Sequence, residues 1–448
     1  MSTLKFIPPQ QWLDPARSET VLFDTPRGAI KVSSMALAAE ALSARLRLLS
    51  GQRVALCVQD SALFTLGLIA IWDAHKEAIL LPEGAAGFLQ AHRQYFDILL
   101  HEEEVSALDC PQIALHLDCF SKLKVTTPQV HLELEEYSAI SFFTSGSTGA
   151  PKLVRKTLAL LTRENKLIFD KLASKLEGTQ VCATVYPQHL FGLTFRIFLP
   201  LCFGLTARSR IIHYTEELCA LYPGRYFLVT SPVFIHHLDF KLKAPQQIVC
   251  FSSAGGFLPD KDAQAMIDWS GADLFEIYGS TESGVMGWRD KPHTHFTPFP
   301  GVNFVMGQQS YQLHSPIIAE SELTINDILE FYPDGSFRPF GRFDSIVKLD
   351  DKRVSLSAIK RCLLTCPEVD DAEVVTYKAG ERLCIGAVVV LKPEYAAAAH
   401  MPLMQHLRAV IGASLGEKCR PRRILFCEHM PQNSMGKRNL SALQELFA

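Results

Sequence analysis

The sequence has neither a strong excess of charge of one sign nor an apolar run of membrane-spanning length. Its 44 Lys and Arg residues against 47 Asp and Glu residues give a formal net charge of −3, so electrostatics offers no case for a nucleic-acid partner. The longest apolar stretches, residues 62–72 and 191–207, are respectively ended by Asp73 and interrupted by Arg196. Both fall short of the about 20 apolar residues of a transmembrane helix. The first residues also lack the apolar segment of a signal peptide. We therefore predict a cytoplasmic protein with no nucleic-acid partner and no membrane span.

Cysteine is present but is not arranged as a metal site. The 12 cysteines are scattered, mostly within apolar segments, which is typical of buried reduced thiols in a cytosolic enzyme. Cys362 and Cys366 have the spacing of a metal-binding pair, yet no second Cys or His pair at ligand spacing accompanies them. A structural zinc site is therefore the less favoured interpretation.

The chain of 448 residues, 48% of them hydrophobic, can bury more than one core, so we expect two or three domains. Strand-like runs alternate with helical patterns, as in parallel α/β architecture; these runs are residues 54–58, 181–185, 248–252 and 274–278. A hairpin turn is predicted at residues 331–336. After Asp344 a compact block has two helices and two strands, at residues 357–364, 372–377, 385–391 and 404–415. We predict an α/β fold with a large N-terminal domain of parallel-rich sheets over residues 1–343 and a small α+β domain over residues 344–448.

The most informative stretch is residues 141–152, Ser-Phe-Phe-Thr-Ser-Gly-Ser-Thr-Gly-Ala-Pro-Lys. Its glycines let the backbone turn several N–H groups toward one anion, and its hydroxyls and lysine add further donors. A strand-like apolar run precedes it, and leucines at helical spacing follow it, with Thr157 as a predicted N-cap. Leu153 stands where a Walker A loop has Ser or Thr to hold magnesium. Because such turns are also common as plain connections, the loop alone leaves both interpretations open.

Three further stretches follow in order: residues 276–284 (Glu-Ile-Tyr-Gly-Ser-Thr-Glu-Ser-Gly), 341–344 (Gly-Arg-Phe-Asp) and 431–437 (Pro-Gln-Asn-Ser-Met-Gly-Lys). Together with the glycine-rich loop, they resemble the adenylate-forming superfamily, which includes acyl- and aryl-CoA synthetases, peptide-synthetase adenylation domains and luciferases. The likeness runs from about Gly51 to the C-terminus. It implies an N-terminal AMP-binding domain and a mobile C-terminal lid domain, with Asp344 as the hinge.

Adenylation requires a carboxylate oxygen to attack the α-phosphate of ATP while pyrophosphate leaves. Donors and cations suffice for this step, and no protein nucleophile is needed. On this chemistry the loop holds the β- and γ-phosphates, through Thr144, Ser145, Gly146, Ser147, Thr148, Gly149 and Lys152. The predicted catalytic residues are Lys152, Thr281, Glu282 and Lys437. A solvated loop lysine is the alternative interpretation of Lys152.

The second stretch carries the candidate nucleotide contacts. Tyr278 offers a flat face for adenine, Thr281 can donate to the α-phosphate, and Glu282 can hold a Mg²⁺ ion that bridges phosphate oxygens. The resemblance places Gly255, within residues 253–256, against the other face of the adenine. A strand that ends in a polar turn, with Tyr278 in the core, is the alternative.

Asp327 and Arg342 are the inferred ribose clamp, because a carboxylate accepts from the ribose hydroxyls while a guanidinium donates in fixed directions. The family usually has Thr-Gly-Asp where this chain has Ile325-Asn326-Asp327, so an ordinary surface aspartate is the alternative. In the family a lid lysine reaches the reacting carboxylate and the α-phosphate. Lys437 matches it, against the alternative of a solvated turn lysine.

His189 matches a family segment at the mouth of the acid pocket, where its ring can gate access to the carboxylate. A satisfied core histidine is the alternative. Phe191 and Gly279 are predicted to line the same pocket.

The resemblance implies ATP-dependent activation of an aryl or acyl carboxylic acid to an acyl-adenylate, then transfer to a phosphopantetheine thiol of CoA or of an acyl carrier protein. ATP and Mg²⁺ are the predicted cofactors. Asp351 replaces a glycine of the family's thiol channel, and Lys360 stands at a position that is often acidic, so the acceptor stays open. The alternatives are a ligase with a non-thiol acceptor and a nucleotide-binding pseudoenzyme scaffold. A scaffold has no need of all five of the residues Lys152, Glu282, Asp327, Arg342 and Lys437, which argues against it.

Overall fold

The structure is a computed structural model. It describes residues 3–81, 84–102, 105, 108–121, 134–145, 151–245, 247–308, 310–342, 346–349, 352–379, 382–397, 399–431 and 440–447. Internal contacts divide the chain into two units. The large unit comprises residues 1–303 and 314–323, and the small unit comprises residues 304–313 and 324–448. The predicted boundary residue, Asp344, lies outside the described residues, and the division at 343/344 stays a prediction.

The strands, in chain order, are β1 (Val21–Thr25), β2 (Gly28–Lys31), β3 (Arg53–Cys57), β4 (Glu77–Leu80), β5 (Ile98–His101), β6 (Gln112–Ala114), β7 (Ala139–Ser145), β8 (Pro151–Thr157), β9 (Gln180–Ala183), β10 (Ala207–Arg208), β11 (Tyr226–Thr230), β12 (Ile248–Ser253), β13 (Asp273–Ser280), β14 (Gly284–Arg289), β15 (Thr297–Pro298), β16 (Asn303–Met306), β17 (Tyr311–His314), β18 (Leu323–Ile325), β19 (Asp327–Phe331), β20 (Phe337–Arg342), β21 (Ile346–Leu349), β22 (Lys352–Ser355), β23 (Val369–Ala379), β24 (Arg382–Leu391) and β25 (Arg423–Cys427).

The α-helices are α1 (Val32–Arg47), α2 (Ser61–Asp73), α3 (Ala86–Ala91), α4 (Leu158–Leu176), α5 (Leu190–Gly192), α6 (Leu199–Phe203), α7 (Thr215–Cys219), α8 (Pro232–His236), α9 (Asp260–Ser270), α10 (Leu356–Leu364), α11 (His400–Leu415) and α12 (Leu440–Glu445). A π-helical segment, Leu193–Phe198, joins α5 to α6.

Two sheets form the large unit. One has the strand order β15-β14-β13-β12-β11-β9-β10-β1-β2, and the other has the order β6-β5-β3-β4-β7-β8. The neighbours β9, β11, β12 and β13 run parallel to one another, as do β3, β4, β5 and β7 in their sheet. The predicted α/β class with parallel-rich sheets is therefore confirmed.

The two long apolar stretches are buried helices of the large unit. All residues of α2 are buried, and its N-cap Asp60 accepts from the backbone N–H groups of Ala62 and Leu63, which satisfies donors that a helix start leaves unpaired. Most of the second stretch forms α5, the π-helical segment and α6. Helix α6 ends at Gly204, whose φ of +68° is a left-handed conformation that favours glycine. No described helix combines the length and hydrophobicity needed to cross a membrane.

The small unit contains the predicted α+β block. Strands β23, β24 and β25 form one sheet, and α10 and α11 pack on it through a shared core that includes Ile359, Leu407, Val374 and Ala387. The hairpin predicted at residues 331–336 is the connection of β19 to β20. Cys366 lies one helical turn after Cys362 and its thiol donates to the Cys362 carbonyl oxygen. Within the described residues no group of three or more candidate ligands could hold a metal ion.

Candidate active site

The candidate site lies at the carboxyl edge of the nine-stranded sheet. Parallel strands end at the same edge, and α/β proteins bind ligands there. The connections that follow β9 and β12 carry His189 and Gly255, while Tyr278 lies near the end of β13 and the connection after β13 carries Thr281 and Glu282. Strand register places Ser253 beside Glu276, so the last two connections leave adjacent strands. The fold thus brings together three segments that are far apart in the sequence.

The turn between β13 and β14 holds the candidate catalytic pair Thr281 and Glu282. Its ends are locked by a reciprocal pair of hydrogen bonds, because Ser280 N donates to Ser283 Oγ at 3.0 Å and Ser283 N donates to Ser280 Oγ at 3.1 Å. A side chain at Gly279 would overlap the backbone of Gly284 on the opposite strand. The hairpin can therefore close only with glycine at the exposed position 279.

Thr281 and Glu282 are half-buried at the tip of this turn. No hydrogen bond or ion pair from any described residue engages the Thr281 hydroxyl or the Glu282 carboxylate. Mg²⁺ in nucleotide sites is held by one or two carboxylates together with phosphate oxygens. The Glu282 carboxylate fits this requirement as the oxygen ligand, and the neighbouring Thr281 hydroxyl can donate a hydrogen bond to a phosphate oxygen.

Tyr278 is held in place by a buried charged cluster. Its ring centroid lies 5.7 Å from that of Phe296, and the Arg289 guanidinium lies 5.2 Å from the Phe296 centroid. Arg289 also pairs with Glu276 at 2.6 Å and with Asp260 at 2.9 Å. Burial raises the pKa of Glu276 to about 7, against the opposing charge of Arg289. The aromatic face proposed for adenine is thus backed by fixed side chains.

Gly255 follows β12 with φ +85°, a conformation that residues with a side chain rarely adopt. It is exposed, and a Cβ built on it would meet no atom within 4 Å. Glycine is therefore needed there for the backbone turn, and the flat backbone it leaves is compatible with the predicted adenine contact.

Residues 141–152, the predicted phosphate-binding stretch, include the end of β7 and the start of β8. These two strands are antiparallel, with Thr144 opposite Lys152. This differs from the expected strand, loop and helix, because β8 intervenes before α4 begins at Leu158. The predicted cap is confirmed, since the Thr157 side chain accepts from Leu160 N. Lys152 is an exposed strand residue. Of the remaining predicted contacts, Thr144 and Ser145 end β7, and Gly146, Ser147, Thr148 and Gly149 lie outside the described residues.

The segment with His189 and Phe191 is anchored from both sides. Gln188 is buried and donates to the Val58 carbonyl oxygen at 2.8 Å. Arg196, fully buried, donates to the Val185 carbonyl oxygen at 2.9 Å. His189 and Phe191 are half-buried on this segment, and the Phe191 ring centroid is 4.9 Å from that of Phe195.

The predicted ribose clamp belongs to the small unit. Asp327 and Arg342 are cross-strand partners at the open end of the β19–β20 hairpin, so the strand register places these two backbone positions opposite each other. Asp344, Asp351 and Lys437 lie outside the described residues.

Comparison with known proteins decides the family. The profile of the AMP-binding enzyme family matches residues 89–312, and that of the AMP-binding enzyme C-terminal domain matches residues 359–437. The chain belongs to the AMP-binding enzyme family. The predicted membership of the adenylate-forming superfamily is therefore confirmed.

Relatives of this AMP-binding enzyme include ligases of aromatic acids. A 4-coumarate–CoA ligase of Cereibacter sphaeroides is 28% identical over 317 residues, which cover 68% of this chain and 72% of that protein. An anthranilate CoA ligase solved in complex with anthranoyl-AMP has a TM-score of 0.80 at 17% identity, with 98% of this chain and 97% of that chain covered. An amide bond synthetase from Marinactinospora thermotolerans has a TM-score of 0.79 at 17% identity, with 98% of each chain covered. These two solved structures share the fold.

Sequence reasoning missed the buried charges that support the site of this enzyme. They are Lys156, Glu164, Arg196, Glu276 and Arg289, each less than a tenth exposed. Arg196 gave one signal, since it interrupts an otherwise apolar run, and a charge in such a run needs a buried partner. The others stand in mixed sequence, where burial is not visible from neighbouring residues.

Proposed function

We infer that this AMP-binding enzyme activates an aromatic carboxylic acid with ATP and passes the acyl group to the thiol of CoA. The observation that carries the proposal is the convergence of Gly255, Tyr278 and Glu282 at the carboxyl ends of adjacent parallel strands. An aromatic acid is supported by the ligases of 4-coumarate and anthranilate among the relatives, and by the half-buried Phe191 ring beside Phe195.

In the first step a carboxylate oxygen of the acid bonds to the α-phosphorus of ATP, while the bond from this phosphorus to the bridging oxygen breaks and pyrophosphate leaves. Lys152 offsets charge on the leaving phosphates, and the Thr281 hydroxyl donates to an α-phosphate oxygen. Tyr278 orients the base, while Asp327 and Arg342 hold the ribose. Glu282 would hold Mg²⁺, which would neutralise part of the phosphate charge.

In the second step the CoA thiolate attacks the acyl carbonyl carbon, and AMP leaves with the electron pair of the acyl–phosphate bond. We propose that residues 344–448 act as a lid on the hinge Asp344 and that Lys437 serves the first step. On this view Lys437→Ala abolishes adenylation but still converts a supplied acyl-adenylate to the thioester.

The direct test is carboxylate-dependent ATP–pyrophosphate exchange over a panel of hydroxycinnamic, benzoic and fatty acids, in cytoplasm-like buffer with Mg²⁺. We expect exchange with at least one aromatic acid and a loss of about a hundredfold in Glu282→Gln, because one charge-stabilising ligand is removed. Glu40→Gln, at an exposed position on α1, is the matched control. Exchange that is absent throughout the panel, or unchanged in Glu282→Gln, would refute the proposal.

A second candidate acceptor is an amine, which the likeness to an amide bond synthetase favours. Product analysis by mass spectrometry separates the acceptors when the acid found above is supplied with CoA, with a phosphopantetheinylated carrier protein, or with an amine panel. We expect the CoA thioester to dominate. An amide product in the presence of CoA would move the assignment to the second candidate.

A further inference from the structure

A buried lysine supports the turn that carries Thr281 and Glu282. Lys156, on β8, is only 4% exposed, and its Nζ donates to the backbone carbonyl oxygen of Glu282 at 3.2 Å. An ammonium group loses its hydration when buried, so it persists at such a position only with polar partners. Here one of these partners is the peptide of the candidate metal-holding residue itself.

A buried glutamate holds the other end of the same turn. Glu164, on α4, is 2% exposed. Its Oε1 accepts from Val285 N at 2.9 Å, and its Oε2 accepts from Thr194 Oγ1 at 3.4 Å. Gly284, between the turn and Val285, has φ +69°, and a Cβ there would lie 2.9 Å from Glu164 Oε1. Glycine is therefore required for the carboxylate to approach the backbone.

The two buried charges compensate each other. Burial lowers the pKa of Lys156, while the charges of Glu164, Glu282 and Glu320 oppose that change. Burial raises the pKa of Glu164, and the charge of Lys156 opposes it. Removal of Lys156 leaves the buried Glu164 carboxylate without this opposing charge, which is destabilising.

We propose that Lys156 and Glu164 are positioning residues for adenylation, which fix the Ser280–Val285 turn so that Thr281 and Glu282 meet the Mg²⁺-bound nucleotide. This inference rests on the proposed function. It gives the two residues a role beyond stability, because Lys156 Nζ and Glu164 Oε1 each bond to the backbone at or next to the turn, while the second carboxylate oxygen of Glu164 accepts from Thr194.

The first test uses nucleotide binding without turnover. ATP affinity is measured by calorimetry with and without Mg²⁺ in the wild type, Lys156→Met and Glu164→Leu. In the wild type we expect Mg²⁺ to tighten ATP binding. In both variants we expect this effect to shrink about tenfold, while the metal-free affinity changes less than about twofold. Wild type that binds no ATP would refute the proposed function itself, whereas an unchanged Mg²⁺ effect in the variants refutes only the positioning role.

The second test separates positioning from stability. Lys76→Met is the matched control, because Lys76 is also buried and donates to backbone carbonyls, those of Leu49 and Gly51, on other elements. We expect the kcat of adenylation to fall about thirtyfold in Lys156→Met, with the KM for the acid within about twofold, and no kcat change in Lys76→Met. Glu164→Gln keeps the acceptor for Val285 N and should lose much less than Glu164→Leu.

The double variant Lys156→Met/Glu164→Leu removes both charges of this pair, so neither remains buried without the other. We expect its urea midpoint to recover toward the wild-type value, since replacing both members of a buried pair is often close to neutral. Its kcat should stay as low as that of the single variants. A kcat that recovers together with stability would show that the pair acts only through folding and would overturn the proposal.

Discussion

Arg196 is a buried side chain that holds the segment leading to the proposed acid pocket. It is 1% exposed, and it donates to the carbonyl oxygens of Val185 at 2.9 Å, Gln59 at 3.1 Å and Ser209 at 2.8 Å. Arg196→Met keeps much of the length of the side chain and removes all three donors. Each buried carbonyl left without a partner costs roughly 1–3 kcal/mol. Gln59 lies at the surface, where water can replace the donor, so two carbonyls remain and the expected loss is about 2–6 kcal/mol.

The loss should also reach the acid pocket, because Val185 leads directly into the segment with His189 and Phe191. We expect the KM for the carboxylic acid to rise about tenfold in Arg196→Met, while the KM for ATP stays within about twofold, since the nucleotide segments follow other strands. Stability is measured by urea unfolding, and KM values come from pyrophosphate exchange. Arg210→Met, at an exposed position nearby in the sequence, is the control. A variant within about 0.5 kcal/mol of wild type with an unchanged acid KM would refute this reasoning.

Two further predictions concern other parts of the large unit. Gly192→Ala places a Cβ on the Tyr186 carbonyl oxygen. We therefore expect a lower melting temperature and, in exchange kinetics, weaker binding of the carboxylic acid. Gly87→Ala, which has open space around the added Cβ, should change neither. The side-chain hydrogen bond from Arg53 lowers the pKa of Asp97 to about 2 in the folded protein. The resulting contribution to the free energy of unfolding is present above the ordinary pKa of an aspartate, near 4, and is lost as the pH falls toward 2. Asp97→Asn should therefore cost about 1–2 kcal/mol at pH 7, after allowance for solvent screening, and should lack that acid-dependent drop in urea titrations at pH 2 to 7. If the free energy of unfolding fell equally steeply with pH in the wild type and in Asp97→Asn, the acid-dependent drop would not come from the Arg53–Asp97 interaction.

Local signals in the sequence predicted the elements whose boundaries are set by their own residues. Helix α4 begins where Thr157 caps it, and the strand predicted at residues 385–391 lies within β24. Strand β8 was missed because its sequence, with Lys152, Arg155 and Lys156, has no strand-like pattern of its own. Pairing with the apolar β7 makes it a strand, and such context outweighs intrinsic strand preference.

The sequence predicted the residues that we propose contact ligand, but not the buried residues that hold their segments in place. Tyr278, Thr281 and Glu282 lie in a recognisable motif at the end of a strand. Arg196 and Glu164 act through backbone groups more than ten residues away along the chain, and a sequence does not reveal which carbonyl or N–H a fold will bring to a buried charge. Burial and partner identity are both products of the tertiary structure.

Strand β8 carries two lysines, four residues apart, to which we assign different roles in the proposed site. Alternate residues of a strand share a face, so Lys152 and Lys156 lie on the same side of β8, roughly 13 Å apart along it. Lys152 is exposed near the start of β8, and Lys156 is buried farther along the strand, where its Nζ donates to the Glu282 carbonyl oxygen. The ladder with β7 is continuous from Ala139–Thr157 to Ser145–Pro151. A slip of one residue in that register would move both lysines to the opposite face together. The register of one hairpin therefore sets both the position of Lys152, the proposed phosphate cation, and the contact of Lys156 with the turn that carries Glu282.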